Sequence, residues 1–295
     1  MADTPPPPPP RLSPARVRAL QRRILAWYAV NGRDLPWRHT TDPYAILVSE
    51  IMLQQTQVSR VVPAFAAWMA RYPRLEELAA APLDDVLRRW QGLGYNNRAR
   101  RLRECAVATV SDRRAGPHDG RAGDREMRAT TPAALPHTLD RLRALPGIGP
   151  YTARAVLVFA HNADLAAVDA NVRRVLLHEL RLPPDTGARH VQAVADAVLP
   201  RGRSRDWHNA LMDYGALVLT ARRTGIPSLS RQGRFEGSRR QHRARLLRLL
   251  LSGGPAATAE LAASLNLEID AAAEIVALLE RDGLVRRDGD LIVVA

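Results

Sequence analysis

The chain of 295 residues is 46% hydrophobic, enough to bury a sizeable core in one large or two smaller domains. Its formal charge of +13 and pI of about 11.2 make a polyanion such as nucleic acid the first partner to consider, beside the plainer reading of a coding bias toward Arg and Ala. All 43 basic residues are arginine, and the single cysteine, Cys105, excludes both an internal disulfide framework and any zinc or iron–sulfur site built from several cysteines.

The opening stretch MADTPPPPPPRLSP has no apolar core of the kind a signal peptide carries, and no apolar run is long enough to cross a bilayer. A cytoplasmic, nucleoid-associated protein without membrane contact is expected, with residues 1–13 as an extended, disordered proline-rich tail. From about 14 to 220, apolar residues recur at spacings of three and four. This predicts helices over 15–30, 43–58, 60–71, 83–90, 97–111, 138–145, 150–161, 170–180, 188–199 and 207–219. No run of alternating strand character interrupts them, so the expected class is all-α. The polar, glycine-bearing piece 113–132 is expected to be a flexible loop between two halves of the helical body.

After about 220 the character changes. Residues 221–240 form a basic linker, and RQGRFEGSRRQHRARLLR at 231–248 holds seven arginines against one acid. That suits a helix lying along a phosphate backbone, or equally a solvated charged face. Residues 241–295 outline a winged-helix-like module: TAELAASL, DAAAEIVALLERDG and the hairpin LVRRDGDLIVV, with Asp288-Gly289 as its two-residue turn. The second of these helices carries Asp270, Glu274, Glu280 and Asp282 against Arg281 alone. This is the wrong sign for a helix in a DNA groove, so packing or protein contact is the expected role.

LPGIGPYTARAV at 145–156 places two glycines in a tight turn between helices. Gly147 and Gly149 can adopt positive φ and expose backbone N–H groups, while Pro150 starts the next helix. Backbone donors beside a helix N-terminus bind phosphate without reading sequence. The turn is followed by AVDANVRRVL at 167–176, and the pair is far more specific than either part. With GRDLPWR at 32–38, PYAILVSEIMLQQTQV at 43–58, WQGLGYNNRARRL at 90–102 and NALMDYGALV at 209–218, the chain resembles the helix-hairpin-helix DNA glycosylases, within them the adenine glycosylase (MutY) family. The resemblance covers about residues 15–220 and implies a two-lobed helical fold, double-stranded DNA with a mispair or oxidised base as partner, and action as a monomer.

Cleaving a purine from deoxyribose needs a proton for the departing base and negative charge near the sugar, where oxocarbenium character develops. Glu50, in the middle of an apolar helix, is expected to be shifted upward by desolvation and to serve as general acid. Asp169, at a loop-to-helix junction, is expected to stay charged and face the sugar cation; it also suits the N-cap of the helix that follows. The resemblance implies further roles. Tyr151 and Asn171 match positions lining the catalytic pocket, and Arg33, Trp37, Arg38 and Leu53 fall in the segments that meet the flipped base. Gln54, Gln55 and Tyr95 match the part that enters the helix, with Gln55 and Tyr95 as wedges into the vacated stack. Ordinary core packing is the alternative for Tyr95.

Two departures stand out. The relatives' iron–sulfur spacing, C-x6-C-x2-C-x5-C, falls here on Leu219, Ile226, Leu229 and Phe235. No cluster is therefore expected; the loop should keep its shape around a small hydrophobic plug, with Arg222, Arg223, Arg231 and Arg234 aimed at phosphates. The Nudix-like domain of the usual adenine glycosylases is replaced by the winged pattern. A thymine or uracil mismatch glycosylase, which shares features such as WRHT at 37–40, and a noncatalytic DNA-binding scaffold are the alternative functions.

Overall fold

A computed structural model describes residues 13–115, 133–227 and 233–295, side chains of 113–115 excepted. The expected proline-rich tail and most of the expected loop at 113–132 lie outside the described residues. In chain order the elements are α1 (Pro14–Asn31), a 3-10 turn (Pro36–Arg38), α2 (Pro43–Leu53), α3 (Val58–Arg71), α4 (Leu75–Ala80), α5 (Leu83–Arg89) and α6 (Asn97–Ala115). There follow α7 (Leu139–Arg143), α8 (Pro150–His161), α9 (Ala170–Leu180), α10 (Ala188–Ala197), α11 (Ser204–Leu217) and α12 (Ala221–Thr224). The last elements are α13 (Arg239–Gly253), β1 (Ala256–Ala257), α14 (Thr258–Leu265), α15 (Ile269–Arg281), β2 (Val285–Asp288) and β3 (Leu291–Val294). The all-α class holds, with strands confined, among the described residues, to the C-terminal module.

The chain divides into two compact units. The first comprises residues 1–47, 137–143 and 148–231. Its core joins Leu20 and Ile24 of α1, Val172, Val175 and Leu176 of α9, Val191 and Val194 of α10, and Trp207 and Leu211 of α11. Burying each such side chain stabilises the fold by roughly 1.5–3 kcal/mol. Helix starts follow local chemistry: the Ser13 hydroxyl accepts the Arg16 amide at 3.3 Å, and Asp169 caps α9.

The second unit comprises residues 48–136, 144–147 and 232–295, so the C-terminal module clusters with the segment containing α3–α6. Trp68 packs edge-to-face on Tyr72 and on Trp90, at centroid distances of 5.0 and 5.4 Å. In the module, the three-stranded sheet has the order β1-β3-β2. Asp288 pairs with Leu291, which makes Gly289-Asp290 the two-residue turn rather than the expected Asp288-Gly289. Gly289 supplies the positive φ, 60°, that this turn needs. Three of the acids on and just after α15 are paired: Glu274 with Arg239 at 3.3 Å, Glu280 with Arg287 at 3.4 Å, and Asp282 with Arg243. The packing role expected for this helix thus has specific partners.

Candidate active site

In the first unit, Asp169 sits at the N-cap of α9. Its Oδ1 accepts the Val172 amide at 2.6 Å and its Oδ2 accepts Asn171 Nδ2 at 3.1 Å. Asn171 Oδ1 in turn accepts from Arg174 Nη1 at 3.0 Å, which also donates to the Gly215 carbonyl at 3.0 Å. A Cβ at Gly215 would meet the Asn171 Cβ at 2.8 Å, so only glycine lets α11 come this close to α9 here. Burial raises the Asp169 carboxyl above its ordinary range, and the hydrogen bonds from Val172 and Asn171 oppose that shift without cancelling it. The expected contrast, Glu50 shifted and Asp169 ordinary, therefore changes: Asp169 is itself displaced upward, because its cap lies in a desolvated corner.

The segment leading to Asp169 is held by a residue the sequence did not single out. His208 is buried; its Nδ1 donates to the Ser204 carbonyl at 2.6 Å and its Nε2 accepts the Ala167 amide at 2.9 Å. Burial pushes its pKa down, consistent with the neutral ring these two bonds require.

Arg33 and Arg38 converge on Asp213 in this unit. Asp213 Oδ1 accepts Arg33 Nε at 2.7 Å and Arg38 Nη2 at 2.8 Å, while Oδ2 accepts the Arg33 amide and Arg38 Nη1, both at 2.8 Å. Burial pushes Asp213 up, but the hydrogen bonds from Arg38 and from the Arg33 amide prevail and leave it below its ordinary range. The two guanidinium groups expected beside the base are thus engaged in a buried clamp that fixes the 3-10 turn, in which Trp37 is also buried. Tyr151, half-buried, lies in the first turn of α8. Arg222 and Arg223 are exposed on the single turn of α12.

In the second unit, Glu50 is 8% exposed in a stretch of α2 that is buried without interruption through Met52. Leu53 is half-buried, and Gln54 and Gln55 are exposed. The helix expected to run to 58 stops at Leu53, because Gln55 takes a left-handed backbone with φ 57°. Tyr95 does the same, φ 49°, after Gly92 and Gly94 at 88° and 73°. Both wedge candidates therefore stand on tight turns that non-glycine residues rarely adopt.

One arginine ties these turns together. Arg98 Nη1 donates to the carbonyls of Ile51 at 2.7 Å, Met52 at 3.1 Å and Gln54 at 2.6 Å. Its Nη2 donates to Thr56 Oγ1 at 3.1 Å and to the carbonyls of Leu93 and Gly94, both at 3.0 Å. The guanidinium lies 5.3 Å from the Trp90 ring centre and 5.6 Å from that of Tyr95. Burial lowers its pKa to about 10, still charged at neutral pH.

The glycine turn differs at its two glycines. Gly147 has φ 78°, and a Cβ there would lie 2.8 Å from the Arg101 Cβ, so glycine is required twice over. Gly149 has φ −85°, serves as N-cap of α8 and has open space around it, so of the two glycines only Gly147 uses the positive φ open to both.

The cluster positions supply no metal donor. Leu219 and Ile226 are buried in the core of the first unit, Leu229 lies outside the described residues, and Phe235 is 52% exposed, so it takes no part in the expected plug. Cys105 is buried, with its thiol pushed up to about 12 by burial. Among the described residues, no group of three or more His, Cys, Asp or Glu is placed to hold a metal ion, and no helix is long and apolar enough to cross a membrane.

Comparison with known proteins places these features in a family. Residues 48–201 match the HhH-GPD superfamily base excision DNA repair protein family. The adenine DNA glycosylase of Mycolicibacterium smegmatis is 41% identical over 248 residues, 77% of this chain and 78% of that protein. That of Mycobacterium tuberculosis is 39% identical over 251 residues, 77% of each. Among solved structures, a thermostable thymine-DNA glycosylase is similar at a TM-score of 0.60 and 27% identity, over 71% of this chain and 90% of that one. The chain belongs to the HhH-GPD superfamily of base excision DNA repair proteins and, within it, to the adenine DNA glycosylase family.

Proposed function

We propose that this protein excises adenine mispaired with 8-oxoguanine or guanine in double-stranded DNA, by turning the nucleotide out of the helix and hydrolysing its N-glycosidic bond. The observation that carries this reading is the pair of exposed side chains, Gln55 and Tyr95, held on left-handed turns by one half-buried arginine, Arg98. Such rigid, strained turns suit side chains that must fill a vacated base stack. The 41% identity to an adenine glycosylase supports the choice of base. The fold likeness to a thymine-DNA glycosylase, at 27% identity, keeps thymine or uracil opposite guanine as the second reading.

In this reading Glu50 gives a proton to a ring nitrogen of the departing adenine as the C1′–N bond breaks and its electron pair leaves with the base. Asp169 offers negative charge to the oxocarbenium-like sugar. Water then adds to C1′ and its proton passes to the Glu50 carboxylate, leaving an abasic site. Phosphates of the duplex meet the Gly147 turn, the start of α8 and the exposed Arg222 and Arg223. The sequence contains no lysine, and Tyr151 stands where bifunctional relatives carry theirs, so the strand is not cut through an enzyme imine. The protein works as a cytoplasmic monomer without an iron–sulfur cluster.

The test is single-turnover formation of abasic sites beside a duplex-binding titration. Glu50→Gln and Asp169→Asn should each lower excision by at least about a thousandfold, roughly 4 kcal/mol of barrier, while binding changes little. Near-wild-type excision by either variant would refute its assigned role.

A further inference from the structure

Beside the turn that carries Tyr95, the second unit holds a cavity of about 760 Å3, within the roughly 300–1,000 Å3 typical of small-molecule sites. Six arginines line it against one acid, Asp282, which already pairs with Arg243. Arg98 is spent on carbonyl groups. The guanidinium groups of Arg60, Arg101 and Arg248, by contrast, have no hydrogen-bond or ion-pair partner among the described residues. The cavity thus presents three uncommitted guanidinium groups to whatever enters it.

Its rim has a different chemistry. The Arg240 guanidinium sits 6.0 Å from the Tyr95 ring centre and 5.9 Å from that of Phe235, and it is anchored to the Tyr95 hydroxyl at 2.8 Å and the Gly233 carbonyl at 2.7 Å. Phe235 and Tyr95 are among the few large apolar side chains left exposed, at 52% and 41%. Leucines of α5, α13 and α15 line the cavity as well. A flat π-face, an apolar body and a multivalent anion are the three properties that such a lining selects, and a nucleotide has all three. Neither Glu50 nor Asp169 lines the cavity.

We propose that this cavity is a nucleotide-binding site apart from the two carboxylates assigned to excision, sharing with the excision machinery only the wedge Tyr95 on its rim. The base stacks at the Tyr95–Arg240–Phe235 rim, and the phosphate is held by Arg60, Arg101 and Arg248. The ligand is either a free mononucleotide or one nucleotide of a DNA strand, and the two are separable by experiment.

The test is calorimetric titration of the full chain with dGMP and, separately, with a 5′-phosphorylated thymidine tetranucleotide. Ala244→Trp places a ring inside the cavity, and Arg60→Glu combined with Arg248→Glu reverses its charge from exposed positions. Arg18→Glu combined with Arg245→Glu makes the same charge change at exposed sites outside it. Binding should weaken by at least about tenfold in the first two variants and by less than about twofold in the third. Binding of dGMP identifies a free nucleotide as sufficient; binding of the tetranucleotide alone identifies a strand as the source. The proposal fails if neither probe binds at about 1 mM, or if all three variants bind like the wild type.

Discussion

Asp169 carries two demands that pull against each other. As the N-cap of α9 it accepts the Val172 amide, and in the proposed mechanism, as a charge for the sugar, it must remain ionised in a corner where burial raises its pKa. An acid whose folded pKa lies above its unfolded one favours the fold below the unfolded value and disfavours it as pH rises through the folded value. Ionised Asp169 is therefore a destabilising group at neutral pH. Asp169→Asn keeps a side chain of equal capping power and removes the charge. The variant should unfold at a higher urea concentration than the wild type at pH 7, and the gap should narrow as pH falls toward the ordinary aspartate value of about 3.9. A less stable variant at pH 7 would contradict this. The cap was legible in VDAN because Asp before a helical run has a local meaning. The upward shift was not legible, since it comes from desolvation in the folded chain. His208, 41 residues from the Ala167 amide it accepts, was equally out of view.

Elements were most readable where their ends are chemically marked. Helices α8 and α9 occupy the predicted residues 150–161 and 170–180, one started by Pro150 and the other by Asp169. Helix α2 was overextended, because its apolar pattern runs on through the glutamines and the left-handed Gln55 has no signature of its own. The six residues of α4 were too few for periodicity to register. Arg98 could not be found, because its acceptors lie 42 to 47 residues upstream as well as nearby. The glycine turn gives a direct test of what pattern alone confuses. Gly147→Ala must adopt φ 78° and displace Arg101, at about 1–3 kcal/mol, whereas Gly149→Ala should cost under about 1 kcal/mol. Equal losses in urea unfolding would show that the two glycines do the same work.

At the scale of the whole molecule, the charge of +13 is not spread evenly in its consequences. Three of the four acids on and just after α15, Glu274, Glu280 and Asp282, are paired with Arg239, Arg287 and Arg243, which reduces the negative charge that helix presents. Deleting residues 253–295 would also remove Leu279, Asp282 and Leu284 from the cavity they line with Arg60, Leu87 and Tyr95, so truncation perturbs more than the module. Point substitutions are the cleaner probe. The central claim, adenine release, is tested most directly by single-turnover base release from four duplexes: adenine opposite 8-oxoguanine, adenine opposite guanine, thymine opposite guanine and uracil opposite guanine. The protein should be purified without added iron and assayed for iron beforehand, with a content well below one atom per chain expected from the apolar cluster positions. It should release adenine from the first two duplexes, with a modest preference between them of roughly 1–3 kcal/mol, and leave the last two intact. Release of thymine or uracil with no release of adenine would contradict it.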